Sequence, residues 1–355
     1  MALLRSCEQN HAFSATFAAR NVMKSRILHK LCQLGATALL LCFATAGRAD
    51  PAGQRPKVWF SMGGWGQIPS PGHHSWEVLY LQPNGTWPPF MDQVTVVSIL
   101  TQVLVKMSDA DLAKVAARLK EKHVALGIEM LAQADDDPPG CGVGVEGYYA
   151  TFMVANIAAK LKRTGAEVGY IAMDEPLWFG HYYNGKNACH SSIDNVAERV
   201  AKNMHEYLKV FPNAIIADGE PFPSITDQPN WKEDYRHWME AFRAKVGKEL
   251  AFTSLDINWG VKNWPTSVQA MASFARDVKM PLGIIYNAAP PPPSMSVQAW
   301  LDGAVRNFNY IEDTLQFVPD WAVFASWARY PGHVLTDENG PGEDYIVKQY
   351  LNKHR

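Results

Sequence analysis

Short apolar runs alternate with amphipathic stretches along most of this chain. Lys57–Met62, Val94–Leu100, Val124–Leu131, Tyr170–Asp174, Ala214–Glu220, Leu250–Trp259, Pro281–Asn287 and Asp320–Trp327 read as strands. Between them lie helical periods. Ser108 or Asp109 caps a stretch that repeats apolar residues at Leu112, Val115, Ala116 and Leu119. Further helices are predicted over about Thr151–Arg163, from Ser191 or Ser192 to Leu208 before Pro212, and over Trp231–Val246, Ser267–Val278 and Ser296–Leu315. Eight strands with mostly helical crossovers predict an α/β chain, a single (β/α)8 TIM barrel over residues 50–355. The exception is the first connection: Gly63 to Pro89 is rich in Gly, Pro, Trp and His and has no helical period. A doubly wound sheet is disfavoured, because no glycine-rich phosphate loop joins a strand to a helix. Gly140-Cys141-Gly142-Val143-Gly144 follows a proline loop instead.

Residues 1–49 break the pattern. Lys24, Arg26 and Lys30 precede the apolar segment Gly35–Ala49, with small residues at Gly47 and Ala49 that suit cleavage before Asp50. This predicts an N-terminal extension and signal peptide, with Ala44-Thr45-Ala46 as an earlier cleavage site and Met23 as an alternative start. The apolar segment is short for a membrane span, so no stable span is expected after cleavage and the mature chain is expected to be secreted or periplasmic. Cleavage removes Cys7, Cys32 and Cys42 and leaves Cys141 and Cys189, which in an oxidising compartment are expected to form a disulfide bracing the loops on either side of the fourth strand.

Composition narrows the partners. A formal charge of −2 gives no basic footprint for nucleic acid. The 12 Trp, 13 Tyr and 15 Phe supply flat faces that suit either sugar rings or an ordinary core.

In a barrel of this kind the chemistry gathers where the strands end. Glu129, Asp174, Glu175, Glu220 and Asp256 all fall there, and clustered carboxylates repel one another, which points to proton transfer or a metal. Period-two alternation groups Asp218 with Glu220, Ser254 with Asp256 and Asn258, and Gly127 with Glu129, and these faces are expected to point into the barrel mouth. Pro176 and Pro221 are expected to hold Glu175 and Glu220 extended. Cleavage of a glycosidic bond needs one protonated and one ionised carboxyl group, and Glu175 and Glu220 on adjacent strands meet that need as acid and as base or nucleophile. Asp256 and Asp174 would tune or bind. Glu129, Trp178, His181, Asn258, Trp259, Tyr286, Asn287 and Trp327 complete the candidate sugar site, and no cofactor is called for.

Asp174-Glu175-Pro176 resembles the Asn-Glu-Pro that ends the fourth strand in the large clan of retaining (β/α)8 glycoside hydrolases, and Ser326-Trp327 resembles that clan's tryptophan platform on strand eight. The resemblance implies that Glu175 is the acid/base and Trp327 a sugar platform. That clan carries its nucleophile on strand seven, but here the strand ends Ile285-Tyr286-Asn287. A different barrel family, with its partner carboxylate at Glu220 or Asp256, is the preferred expectation. Two alternatives stay open: a metal-dependent sugar enzyme using these acids with His181, His73 or His74, and a noncatalytic carbohydrate-binding barrel.

Overall fold

The computed structural model describes residues 55–61, 87–135, 141–290, 292, 294–327, 330–336 and 340–355. The expected signal segment, His73, His74 and most of the first connection lie outside the described residues. Parallel strands β1 (Lys57–Ser61), β2 (Val96–Leu100), β3 (Ala125–Met130), β4 (Val168–Asp174), β5 (Ile215–Phe222), β6 (Phe252–Ile257), β7 (Leu282–Ile285) and β8 (Trp321–Phe324) pair in chain order. β8 returns to β1 in the register Lys57 to Trp321, so the sheet closes as the expected eight-stranded barrel.

Helices α1 (Thr101–Lys106), α2 (Asp109–Glu121), α3 (Thr151–Arg163), α4 (Ile193–Leu208), α5 (Trp231–Val246), α6 (Trp264–Val278), α7 (Val297–Asn309) and α8 (Asp344–Lys353) fall between and after the strands. The serine caps form as their side chains dictate. Ser108, Ser192 and Ser296 accept the backbone N–H of Asp111, Asn195 and Ala299. α4 shows why its sequence is helical: Val196, Val200, Met204 and Tyr207 recur on one face and are all buried. Helices α1 and α8 carry no such advance signal, α1 because it continues the apolar run of β2 without a break. The described part of the first connection is a 3-10 turn, Pro89–Gln93.

Aromatic rings fill the barrel. Phe252 stacks on Trp321 at 4.7 Å between centroids, and Trp59 meets both edge-on and also contacts Tyr170. Gly127 makes room for them, since a Cβ there would lie 2.9 Å from Val96 Cγ1 and 3.0 Å from the Trp59 ring. Buried rings of this size each stabilise by roughly 2–3 kcal/mol. They also close the barrel from below and leave its C-terminal end open.

Candidate active site

A cavity of ≈ 520 Å³ opens at the C-terminal ends of the strands, with Trp59 and Phe252 as its floor and Glu129, Glu146, Asp174, Glu175 and Asp256 in its walls. A second hollow of ≈ 420 Å³ lies beside it, walled by Asn258, Trp259, Asn287 and Trp300. Glu175, Asp256 and Trp327 line both. These three residues form the seam of one continuous mouth.

The end of β4 explains how two consecutive acids reach the same space. Asp174 pairs with Gly219 in an inward-facing register. An extended Glu175 would then point out of the barrel. Instead Glu175 takes φ +48°, the left-handed region that non-glycine residues avoid, and turns back onto the cavity. This corrects the expectation that Pro176 holds it extended. The turn is fastened on both sides: Glu175 N–H donates to the Gly219 carbonyl at 2.9 Å, and its own carbonyl accepts from Phe179 N–H at 3.0 Å.

Enclosure and like charge act together on these carboxyls. Burial, then the charges of Asp256, Asp174, Glu220 and Glu146, push Glu175 well above the ordinary carboxyl range. Asp174 is raised likewise, by burial and then by Glu146, Glu129 and Asp256. Burial lifts Asp256 to about 7, with a hydrogen bond from Glu175 holding it back. Of the two, Glu175 is the one that keeps its proton through neutrality, while Asp256 ionises in that range and its charge helps to hold the Glu175 proton. Glu129 is raised by burial, while Ser61 Oγ donates to it at 2.8 Å and Ser98 Oγ donates to the same oxygen.

Glu220 is not in this group, and its expected inward face is corrected. Pro221 pairs with Asp256 and faces the cavity, so Glu220, paired with Leu255, faces the helices and is wholly buried. Its two oxygens accept the N–H groups of Leu177 at 2.7 Å and Trp178 at 3.0 Å. It thus caps the helical turn that begins just after Glu175. Asp218 faces the same way and accepts from Tyr235 Oη and Trp238 Nε1.

Three proposed sugar contacts are corrected for similar reasons. Tyr286 is on the outward side of β7, fully buried, with its hydroxyl donating to Glu312 at 3.4 Å. Trp178 packs against Tyr182 under the capped turn. His181 spends Nδ1 on the Ser191 carbonyl at 2.7 Å and braces the loop rather than a carboxylate. Asn258, Trp259, Asn287 and Trp327 do line the mouth, and Trp259 Nε1 donates to Asn287 Oδ1 at 2.7 Å. Cys141 and Cys189 form the expected disulfide, with Cα atoms 4.9 Å apart.

Glu146 was not singled out from the sequence as a site residue. It sits in an irregular loop with no strand period, and the adjoining Gly147 and the nearby Cys141 are the only local hints that the loop is held. Among the described residues no three His, Cys, Asp or Glu side chains come together in a way that could hold a metal ion. Nor is any described helix long and apolar enough to cross a membrane.

Solved structures share this architecture at low identity. A GH10 enzyme from Paenibacillus barcinonensis aligns over 84% of this chain and 95% of its own, with 9% identity and a TM-score of 0.50. The likeness is one of fold. Xylanase 10B from Thermotoga petrophila, solved with xylobiose, covers 84% of this chain and 94% of its own at 12% identity and TM-score 0.49. A fungal β-1,4-galactanase covers 82% and 98% at 11% identity and TM-score 0.49. No protein-family model matches the sequence, and no curated protein is similar to it. The chain is thus a (β/α)8 barrel of the kind on which GH10 glycoside hydrolases are built.

Proposed function

We propose that this chain is an exported glycoside hydrolase acting on a poly- or oligosaccharide, with Glu175 as its general acid. The observation that carries this reading is the placement of Glu175 beside Asp256 at the seam of an aromatic-walled mouth. A carboxyl that keeps its proton near neutrality can give it to a leaving glycosidic oxygen, and burial together with the neighbouring Asp256 and Asp174 charges keeps it there. A sugar on each side of the seam would place the scissile oxygen against Glu175. Trp327, 44% exposed, offers a ring face at the junction, while Glu129 and Asn287 supply acceptors and donors for hydroxyls.

The disulfide supports export, since such bonds persist in oxidising compartments. The basic and apolar pattern before Asp50 supports it independently. Sequencing the N-terminus of the mature protein tests this point, with a start at or near Asp50 expected.

The hydrolase reading is tested by reducing-end release from xylan, β-1,4-galactan and β-glucan. Wild type is expected to cleave at least one of them, and Glu175→Gln to lose about 100-fold or more in kcat while still binding the glycan. A wild-type protein that binds sugars and releases no ends would make the barrel a noncatalytic receptor.

A further inference from the structure

Hydrolysis at Glu175 requires a second carboxylate on the far side of the scissile bond. Strand β7 supplies none, because its inward residue beyond Ile285 is Asn287, already engaged by Trp259 and by the Ala325 carbonyl. Glu220 is buried behind β5. Asp256 lines the same seam of the two hollows as Glu175 and acts on it as a neighbour, so it sits with the acid rather than on the attacking side of the bond. Asp174 is adjacent to Glu175 in the chain, and one Glu129 oxygen is occupied by two serine hydroxyls at the barrel floor.

We infer that Glu146, on the loop after β3, is the carboxylate on the attacking side of the reaction. It lines the same cavity as Glu175, Asp174 and Asp256, at a rim that water reaches. Gly147 abuts the Asp174 carbonyl, so the loop brings Glu146 to this cavity beside the end of β4, and its charge acts on Asp174, Glu175 and Asp256 alike.

The loop holding Glu146 is built as a fixed platform. Gly147, at φ +83°, lies so close to the end of β4 that a Cβ there would sit 3.2 Å from the Asp174 carbonyl oxygen. Its own carbonyl accepts from Gln133 N–H at 2.8 Å. On the other side Cys141 is bonded to Cys189, Gly142 N–H donates to the Asn187 carbonyl at 2.8 Å, and Asn187 Nδ2 donates to the Val143 carbonyl at 2.7 Å. Val145, Tyr148 and Phe179 pack beneath as a small apolar cluster. An exposed acid on an ordinary loop needs none of this; an acid that must be aimed does.

The step balances. Glu146 takes a proton from water as the water oxygen bonds to the anomeric carbon, the bond from that carbon to the glycosidic oxygen breaks, and the Glu175 proton passes to the departing oxygen. Two hydroxyl-bearing products result from one water, and solvent exchange returns the proton from Glu146 to Glu175.

This inference rests on the hydrolase reading, and the experiment separates the two. The mature protein and its Glu146→Gln, Glu146→Ala and Glu175→Gln variants are assayed on whichever of xylan, β-1,4-galactan or β-glucan the wild type cleaves. They are also assayed on the matching 2,4-dinitrophenyl glycoside, whose leaving group needs no acid. Glu175→Gln should fail only on the polysaccharide. Both Glu146 variants should lose about 100-fold or more in kcat on both substrates with unchanged melting temperature, and azide should restore turnover to Glu146→Ala with formation of a glycosyl azide. Glu146 variants within about threefold of wild type, or a loss confined to KM, would overturn the assignment while leaving the hydrolase intact. Wild type inactive on every glycan would overturn both.

Discussion

Replacing Glu220 by Gln separates a positioning residue from a catalytic one. In the wild type its two oxygens accept from Leu177 N–H and Trp178 N–H, with no access to the mouth. Glutamine keeps one acceptor and sets an NH2 group against the other N–H, so a buried donor loses its partner at about 1–3 kcal/mol. Some of this is offset, because burial and the Asp218 charge already make ionised Glu220 unfavourable. A net loss of about 1–2 kcal/mol corresponds to roughly 2–8 °C in Tm, towards the lower end for a chain this long. The turn after Glu175 would loosen without the acid being removed, so kcat should fall by about tenfold or less, roughly 1.4 kcal/mol, with KM nearly unchanged. Calorimetry and steady-state kinetics on the same preparation read both quantities. A variant with wild-type Tm and the full activity loss of Glu175→Gln would refute the outward placement and make Glu220 a reacting group.

Two further outcomes follow from the buried acids and the exposed ring. Burial lifts Asp218 to about 7 against hydrogen bonds from Tyr235 and Trp238, so the folded state holds this proton where the unfolded chain, near 3.8, has released it. Its share of stability is complete below about pH 4 and is lost as pH rises through 7, on the order of 4 kcal/mol at 1.36 kcal/mol per unit. Denaturant midpoints from pH 4 to 8 should therefore fall less steeply in Asp218→Asn than in wild type, and an equal slope would contradict the assignment; Asp256, also at about 7, keeps part of the trend in both. Trp327→Ala removes the ring shared by the two hollows and should raise KM for the polysaccharide about tenfold, the loss of roughly 1.4 kcal/mol of stacking, with a smaller change in kcat. An unchanged KM would take Trp327 out of the sugar site.

The barrel is legible in the sequence because alternation of strand and helix is a property of local stretches, and the serine caps at Ser108, Ser192 and Ser296 mark starts that the folded chain uses. Glu129, Asp174 and Asp256 are legible for the same reason, since each lies at a strand end in an inward phase. The phase of β5 is not. Asp218-Gly219-Glu220-Pro221 looks like a second copy of Asp174-Glu175-Pro176, but period two fixes only which residues share a face and never which face is inside. That choice is made by the neighbours: Met173 pairs with Asp218 and Pro221 with Asp256, which puts the small residues Ala217 and Gly219 towards the cavity and both acids behind it.

The same limit separates Glu175 from Glu146. Glu175 is conspicuous as a motif yet would face the wrong way on a regular strand, and only its left-handed backbone, held by Gly219 and by the turn that Glu220 caps, brings it into the mouth. Glu146 has no motif at all. Its place depends on a disulfide between residues 48 apart in sequence and on Gly147 meeting the Asp174 carbonyl, contacts that exist only once β3 and β4 lie side by side. A carboxylate delivered by a strand can be moved to another strand only by changing a register, whereas one delivered by a stapled loop can be gained with a few residues.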